Sequence, residues 1–333
     1  MHHRSRAFAT RADLVAALAC TACLLAAALL GACSGQALTS GAAAGLAPDT
    51  GTGATPSAGA GGGNDWAHVL QVVADLKAHP PAEPVVCLLG GSAARESTID
   101  DASWAAQVKQ LGGPSVVAYN LGSRNRTLAQ DVELIRALPK TPGIVYIGIN
   151  VGRFTAPPSH PTIDLPETAQ SLPPYRQHQY SQRKILSDAR KRALLTKWLA
   201  ERYPLFEKNY ATSLQALDKL VATCRSRGLH AVLLELPRNT QIIGRALDAP
   251  VARFTTSCRA LARKRDVPWV SFVSAARRPN ADFYDLWHLV EPGRVVWQRL
   301  LSEKTVALLD KYGLEGPAPT PALSPQTTES PAP

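Results

Sequence analysis

Three residues of the 333-residue chain have types that could do covalent chemistry together: Ser92, Asp285 and His288. A serine hydroxyl is a weak nucleophile and needs a base within hydrogen-bond reach. An imidazole can be that base, and a carboxylate on its other ring nitrogen fixes the tautomer. Asp285-Leu286-Trp287-His288 places carboxylate and imidazole on one short turn. Ser92 lies far upstream, so only the fold can bring it there. Such a set suits transfer of an acyl group to water or to another hydroxyl.

The stretch around Ser92 says how it would be presented. Val85-Val86-Cys87-Leu88-Leu89-Gly90-Gly91-Ser92 is a continuous apolar run that meets two glycines and then the serine. A short apolar run ending in glycine reads as a central parallel strand. Its C-terminal end is where ligands bind in an open α/β sheet. The competing reading is plainer: serine is a favoured helix cap, and Gly-Gly-Ser is often only a turn.

Two further strand ends point the same way. Val116–Leu121 leads into Gly122, whose backbone amide can face the same crevice. Ile144–Ile149 leads into Asn150, whose side-chain amide can reach in. Asn150 could equally cap a turn, and Asp285 could cap the region of the last helix. Of eight histidines, His288 is the telling one. His2 and His3 fall in an export signal, His68, His79, His160 and His178 in linker-like or inserted segments. His230 begins a strand, at the opposite end from the crevice. Outside the export signal, which holds Cys20 and Cys23, no His or Cys spacing suggests a metal site, and no cofactor is expected.

The elements alternate along the chain. Strands are expected at Val85–Leu89, Val116–Leu121, Ile144–Ile149, Ala231–Leu236 and Trp269–Val273. Helices are expected around Trp104–Leu111, Thr127–Leu138, Leu205–Arg227, Pro250–Arg265 and Pro292–Tyr312. This alternation implies a three-layer α/β/α sandwich around a five-stranded parallel sheet, of the flavodoxin-like kind. An insert at 154–203 breaks the rhythm. It is proline-rich first, then basic and helical over Gln182–Tyr203, with Ile185, Leu194, Leu195, Trp198 and Leu199 on an apolar side. It reads as a solvated charged helix or as a lid that meets anionic lipid or polymer.

The N-terminus reads as an export signal. Arg4, Arg6 and Arg11 precede an uncharged Ala/Leu-rich run that ends Leu30-Gly31-Ala32-Cys33. That ending resembles the bacterial lipobox, which implies a signal over 1–32 and a lipid on Cys33. Residues 33–64 are mostly Gly, Ala, Ser and Thr with almost no bulky residue, a flexible tether with a reach on the order of 30 Å. The domain would span 65–315, and 316–333 is a Pro-rich tail read as disordered. The protein would then sit outside the cytoplasm on a membrane. The net charge of +10 favours anionic surfaces, but no zinc-finger spacing or aromatic RNA-binding signature supports nucleic acid. Cys87 reads as a buried thiol. Cys224 and Cys258 lie in two expected helices and could pair as a disulfide.

Gly90-Gly91-Ser92, Gly122, Gly148-Ile149-Asn150 and Asp285-Leu286-Trp287-His288 stand in the order of the four blocks of the SGNH (GDSL-type) hydrolases. The chain resembles that family over roughly 85–308. The resemblance implies Ser92 as nucleophile, His288 as base and Asp285 as its orienter. It also implies an oxyanion hole made by the Ser92 and Gly122 amides and the Asn150 side chain. The chain departs from the pattern at Gly91 and Val151, where the family often has Asp. Arg95 could bind an anionic substrate group, or pair with Glu96 or another acid. The expected substrates are acyl esters of cell-envelope components, glycans among them. An O-acyltransferase of the same fold, or a non-catalytic envelope-binding protein, are the competing readings.

Overall fold

The structure is a computed structural model that describes residues 64–157, 159, 161–166 and 184–315. The export signal, Cys33, the tether up to residue 63, the tail and the middle of the insert fall outside the described residues. Among the described residues, no helix is long and apolar enough to cross a membrane.

Five strands form one parallel sheet: β1 (Val85–Gly90), β2 (Val117–Gly122), β3 (Gly143–Ile149), β4 (Leu229–Glu235) and β5 (Trp269–Ser271), in the order β2-β1-β3-β4-β5. Every residue of β1 and β3 is buried, which is why these strands read as unbroken apolar runs rather than as alternation. Side chains of period two then feed two separate cores. Val85, Cys87 and Leu89 join Val145, Ile147, Ala231 and Leu233 on one face. Val86 and Leu88 join Ile144, Tyr146, Val232 and Leu234 on the other.

Helices cover both faces. The first core is closed by α1 (Asn64–Ala78), α4 (Leu128–Ala137), α6 (Tyr203–Ser226) and α8 (Asp248–Arg265). The second is closed by α2 (Ser92–Arg95), α3 (Asp101–Gln110) and α10 (Glu291–Lys311). Trp104 and Trp297, both fully buried, anchor α3 and α10. A buried indole removes about 150–250 Å² from water, worth about 4–6 kcal/mol at about 25 cal/mol per Å². The start of α4 is sharp because Thr127 and Gln130 form a capping box. The remaining elements are α5 (Asp188–Glu201), two single turns α7 (Thr240–Ile243) and α9 (Val273–Ala276), and 3-10 turns at Val151–Phe154 and Asn280–Asp282.

Three expectations change. Residues 64–78 form α1, whose Val69, Val72, Val73 and Leu76 lie at helical spacing and are buried. Asn64, assigned to the tether, is the first residue of that helix. The fifth strand is short, because β5 pairs only with β4 and leaves the sheet after Ser271. Cys224 and Cys258 are free, and so is Cys87. Burial pushes the thiols of Cys87 and Cys258 up to about 12 and raises that of Cys224 as well. All three are inert at neutral pH.

Candidate active site

Ser92 is delivered by the end of β1. Gly90 leaves the strand at φ 156°, and a Cβ there would lie 2.6 Å from Ala94 Cβ. Only glycine permits so sharp an exit into a helix packed this close. Gly91 then caps α2 and Ser92 is its first residue. The serine is therefore not the cap, and its hydroxyl is released from that duty. Gly91 itself faces open space: a Cβ at that position would have nothing within 4 Å.

α2 is a single turn and is held from beneath. Asn120 on β2 donates from Nδ2 to Ala94 O at 2.9 Å and to Thr98 Oγ1 at 2.7 Å. Arg95 is fully buried and pairs with Asp65 at 2.6 Å and Glu96 at 2.9 Å. Arg294 pairs with Glu96 at 3.0 Å from the other side. Of the two readings of Arg95, pairing with Glu96 and another acid is the one the structure shows, and substrate binding is not: its guanidinium is engaged by the acids under α2, with none of it exposed. Stripping one partner from such a buried pair costs about 3–5 kcal/mol, so this network fixes where α2 sits.

Asp285 and His288 arrive on a closed loop. Phe283 and Leu289 form an isolated antiparallel bridge, and Tyr284 N donates to His288 O at 2.8 Å. Within it Asp285 Oδ1 accepts from Trp287 N at 2.9 Å and His288 N at 3.0 Å. Asp285 Oδ2 lies 2.7 Å from His288 Nδ1, and His288 Nε2 lies 2.9 Å from Ser92 Oγ. An ionised carboxylate only accepts hydrogen bonds, so Nδ1 carries the ring proton. Nε2 is then the acceptor that faces the serine hydroxyl. Burial works against ionisation of Asp285. The neighbouring His288 ring and the two backbone amides outweigh it, and the carboxyl sits below its ordinary value of 3.8.

Of the three donors expected for a developing oxyanion, two make no hydrogen bond among the described residues and one does. Ser92 N–H is an orphan of the first helical turn and makes no hydrogen bond among the described residues. Asn150 caps the 3-10 turn that follows β3: its Oδ1 accepts from Arg153 N at 3.2 Å. That bond fixes the amide plane and leaves Nδ2 as the unused donor. Gly122 N–H, by contrast, donates to Asn120 Oδ1 at 3.0 Å. Of the three expected donors it is the one already engaged within its own strand. Glycine is needed there for a different reason: a Cβ would lie 2.4 Å from Arg95 N, so any side chain would push α2 away.

Residues with no motif around them complete the site. Asp131 lies 2.7 Å from Arg126 Nε and also pairs with Arg153, and Arg153 donates to Arg126 O. This ties the loop after β2 to the turn that carries Asn150. Asn239 donates from Nδ2 to Asp285 O at 3.1 Å and from its backbone to Leu286 O at 2.9 Å. The sequence carries no motif for these roles, because Arg153 and Asn239 meet partners more than twenty residues away along the chain. A separate cavity of about 440 Å³ between α4 and α6, lined by Leu128, Val132 and Ala216 among others, contains neither Ser92 nor His288.

Fold and site together define a doubly wound α/β sandwich with a serine, a histidine and an aspartate in hydrogen-bonded sequence at the carboxyl edge of its sheet. No protein-family model matches the chain, and no curated protein matches it. Among solved structures it is similar to a GDSL-like lipase from Bacteroides thetaiotaomicron, at 9% identity over 73% of this chain and 98% of that one, with a TM-score of 0.38. It is also similar to an alanine-substituted variant of the esterase AlinE4, at 15% identity over 68% of this chain and 96% of that one, with a TM-score of 0.36. The functional reading rests on the side chains, not on these likenesses.

Proposed function

We propose that the protein is an SGNH-type serine esterase that cleaves acyl esters. The observation that carries this is the relay Ser92 Oγ to His288 Nε2 at 2.9 Å and His288 Nδ1 to Asp285 Oδ2 at 2.7 Å. His288 takes the hydroxyl proton as Ser92 attacks the ester carbonyl. Ser92 N–H and Asn150 Nδ2 hold the oxyanion of the tetrahedral intermediate. His288 then returns the proton to the departing alcohol, leaving an acyl group on Ser92. Water, deprotonated by the same imidazole, attacks that acyl-enzyme, and Ser92 is restored.

A fluorophosphonate probe tests the reading. Ser92 is expected to be the labelled residue in the peptide map. Folded protein that stays unlabelled at Ser92 would count for the non-catalytic binding reading. The oxyanion role has its own test in Asn150→Asp. This variant keeps an oxygen to cap the following turn but loses the donor. We expect kcat on a short aryl ester to fall about 10²–10³-fold, with the thermal midpoint little changed. A variant at wild-type kcat would remove Asn150 from the hole.

The place of action is part of the proposal. The Leu30-Gly31-Ala32-Cys33 ending supports a lipid on Cys33, with the domain tethered outside the cytoplasm. Acyl esters of the cell envelope are the substrates within reach of such a tether. Transfer to a glycan hydroxyl differs from hydrolysis only in the acceptor. Product analysis with and without a glycan acceptor separates the two.

A further inference from the structure

Lys191 is the one lysine among the described residues that is fully buried. It stands on α5, in the insert, on a helix whose other cations at Arg190, Arg192 and Lys197 are exposed. Its Nζ donates to Phe283 O at 2.8 Å, Asn280 O at 3.0 Å and Asn280 Oδ1 at 2.6 Å. An ammonium has three protons and three acceptors meet them. None of the three is a carboxylate. Burying a cation on neutral acceptors is costly, and a methionine would fill the space more cheaply if packing were all that mattered.

The acceptors belong to the segment that leads into Asp285 and His288. The rest of the α5 N-terminus meets the same segment. Leu186 N donates to Tyr284 O at 3.2 Å, and Asn280 Nδ2 donates to Asp188 Oδ1. Asn280 Oδ1 also accepts from Asn239 Nδ2 at 2.8 Å, and Asn239 holds Asp285 O. Trp198, further along α5, lies against Trp287 with ring centroids 6.3 Å apart. The start of α5 and its Trp198 face are thus docked on the acid–base loop, while the opposite side of the helix stays exposed. Burial draws the pKa of Lys191 below its ordinary value, while Asp188 and Asp285 draw it back.

We infer that Lys191 is a positioning residue of the esterase site: its buried ammonium gathers the carbonyls of Asn280 and Phe283 and so sets how Asp285 and His288 meet Ser92. The inference rests on the reading of Ser92 as nucleophile. It assigns the insert a role inside the site, where charge and spacing alone gave a solvated helix or a lipid-facing lid. No covalent step involves Lys191, and its proton stays in place through the cycle.

The test is Lys191→Met, which keeps the bulk of the side chain and removes the charge. Three quantities are read at 25 °C on folded protein: kcat and KM on a short aryl ester, the fluorophosphonate labelling rate of Ser92, and hydrogen exchange of the Tyr284 amide, which bonds His288 O. A small displacement of reacting groups can cost on the order of 10² in rate. We expect kcat and labelling to fall about 10- to 100-fold, KM to change little, and the Tyr284 amide to exchange faster. A purely structural lysine would lower the thermal midpoint and leave the labelling rate of the folded fraction unchanged, and that result overturns the inference. If Lys191→Met does not fold, Asn280→Ala removes one acceptor and the Asn239 link; wild-type labelling in that variant overturns it equally. Wild-type protein that fails to label at all sinks the esterase reading instead, and faster Tyr284 exchange in the variant would then leave Lys191 as a loop clamp with no catalytic consequence.

Discussion

Ser92→Ala is expected to lower kcat on a short aryl ester by a factor on the order of 10⁶, and to leave the thermal midpoint nearly where it was. The large loss follows from the chemistry. Without Oγ there is no acyl-enzyme, and His288 has nothing to activate except water held in no particular place. What survives is the field of Ser92 N–H and Asn150 Nδ2, which alone leaves about 10³–10⁴ over the reaction in water. The small effect on stability follows from the geometry. Among the described residues Ser92 Oγ bonds only His288, and the cap of α2 is Gly91, so no helix terminus loses a partner. α2 stays pinned by Asn120 and by the Arg95 and Glu96 pairs. Steady-state turnover together with a melting curve decides it. A well-folded variant that keeps its turnover would exclude Ser92 as the nucleophile.

Asp285→Asn is expected to cost about 10⁴ in kcat. The substitution conserves shape but replaces an acceptor with an amide that can present a donor to His288 Nδ1. The ring then carries its proton on Nε2, the nitrogen that must accept from Ser92. Asp285 Oδ1 also accepts from Trp287 N and His288 N, so the carbamoyl oxygen is drawn to those two amides and the NH₂ to the ring. The wrong tautomer is therefore the one the backbone enforces. The pH dependence has a definite sign. The folded carboxyl titrates below its ordinary 3.8, so its contribution to stability is complete above that value and is lost only as pH falls through the lower folded value. Loss of activity on the acid side near neutrality therefore does not report Asp285. An Asp285→Asn enzyme with turnover close to wild type would show that the carboxylate does not set the tautomer.

β1 and β3 are legible because each is an apolar run buried on both faces, and burial on both faces leaves little room for other readings. β1 and β3 emerge within a residue of expectation. α1 is not expected although its apolar spacing is helical: the boundary at residue 65 falls within one residue of its start, but no element is assigned between that boundary and β1. Gly122 shows a subtler limit. The residue stands where a backbone donor would be useful, but whether that donor is free depends on Asn120 Oδ1, two residues back on the same strand. A strand turned by a few degrees would decide otherwise, and no spacing rule records that. Arg95 is similar: its charge can be assigned only once Glu96 and Asp65 are placed around it.

Local rules of chain geometry were enough for the layered sheet, the glycine-ended first strand, the turn that joins Asp285 to His288, and the residue types able to move a proton. These depend on neighbours in the chain, and the chain states its neighbours. Folding alone settled which amides remained free, which charges were spent under α2, and that a helix of the insert reaches over to grip residues 280–283. Those outcomes turn on where side chains come to rest, most of them against segments far away in the chain, and a difference of about one ångström decides whether a hydrogen bond forms at all.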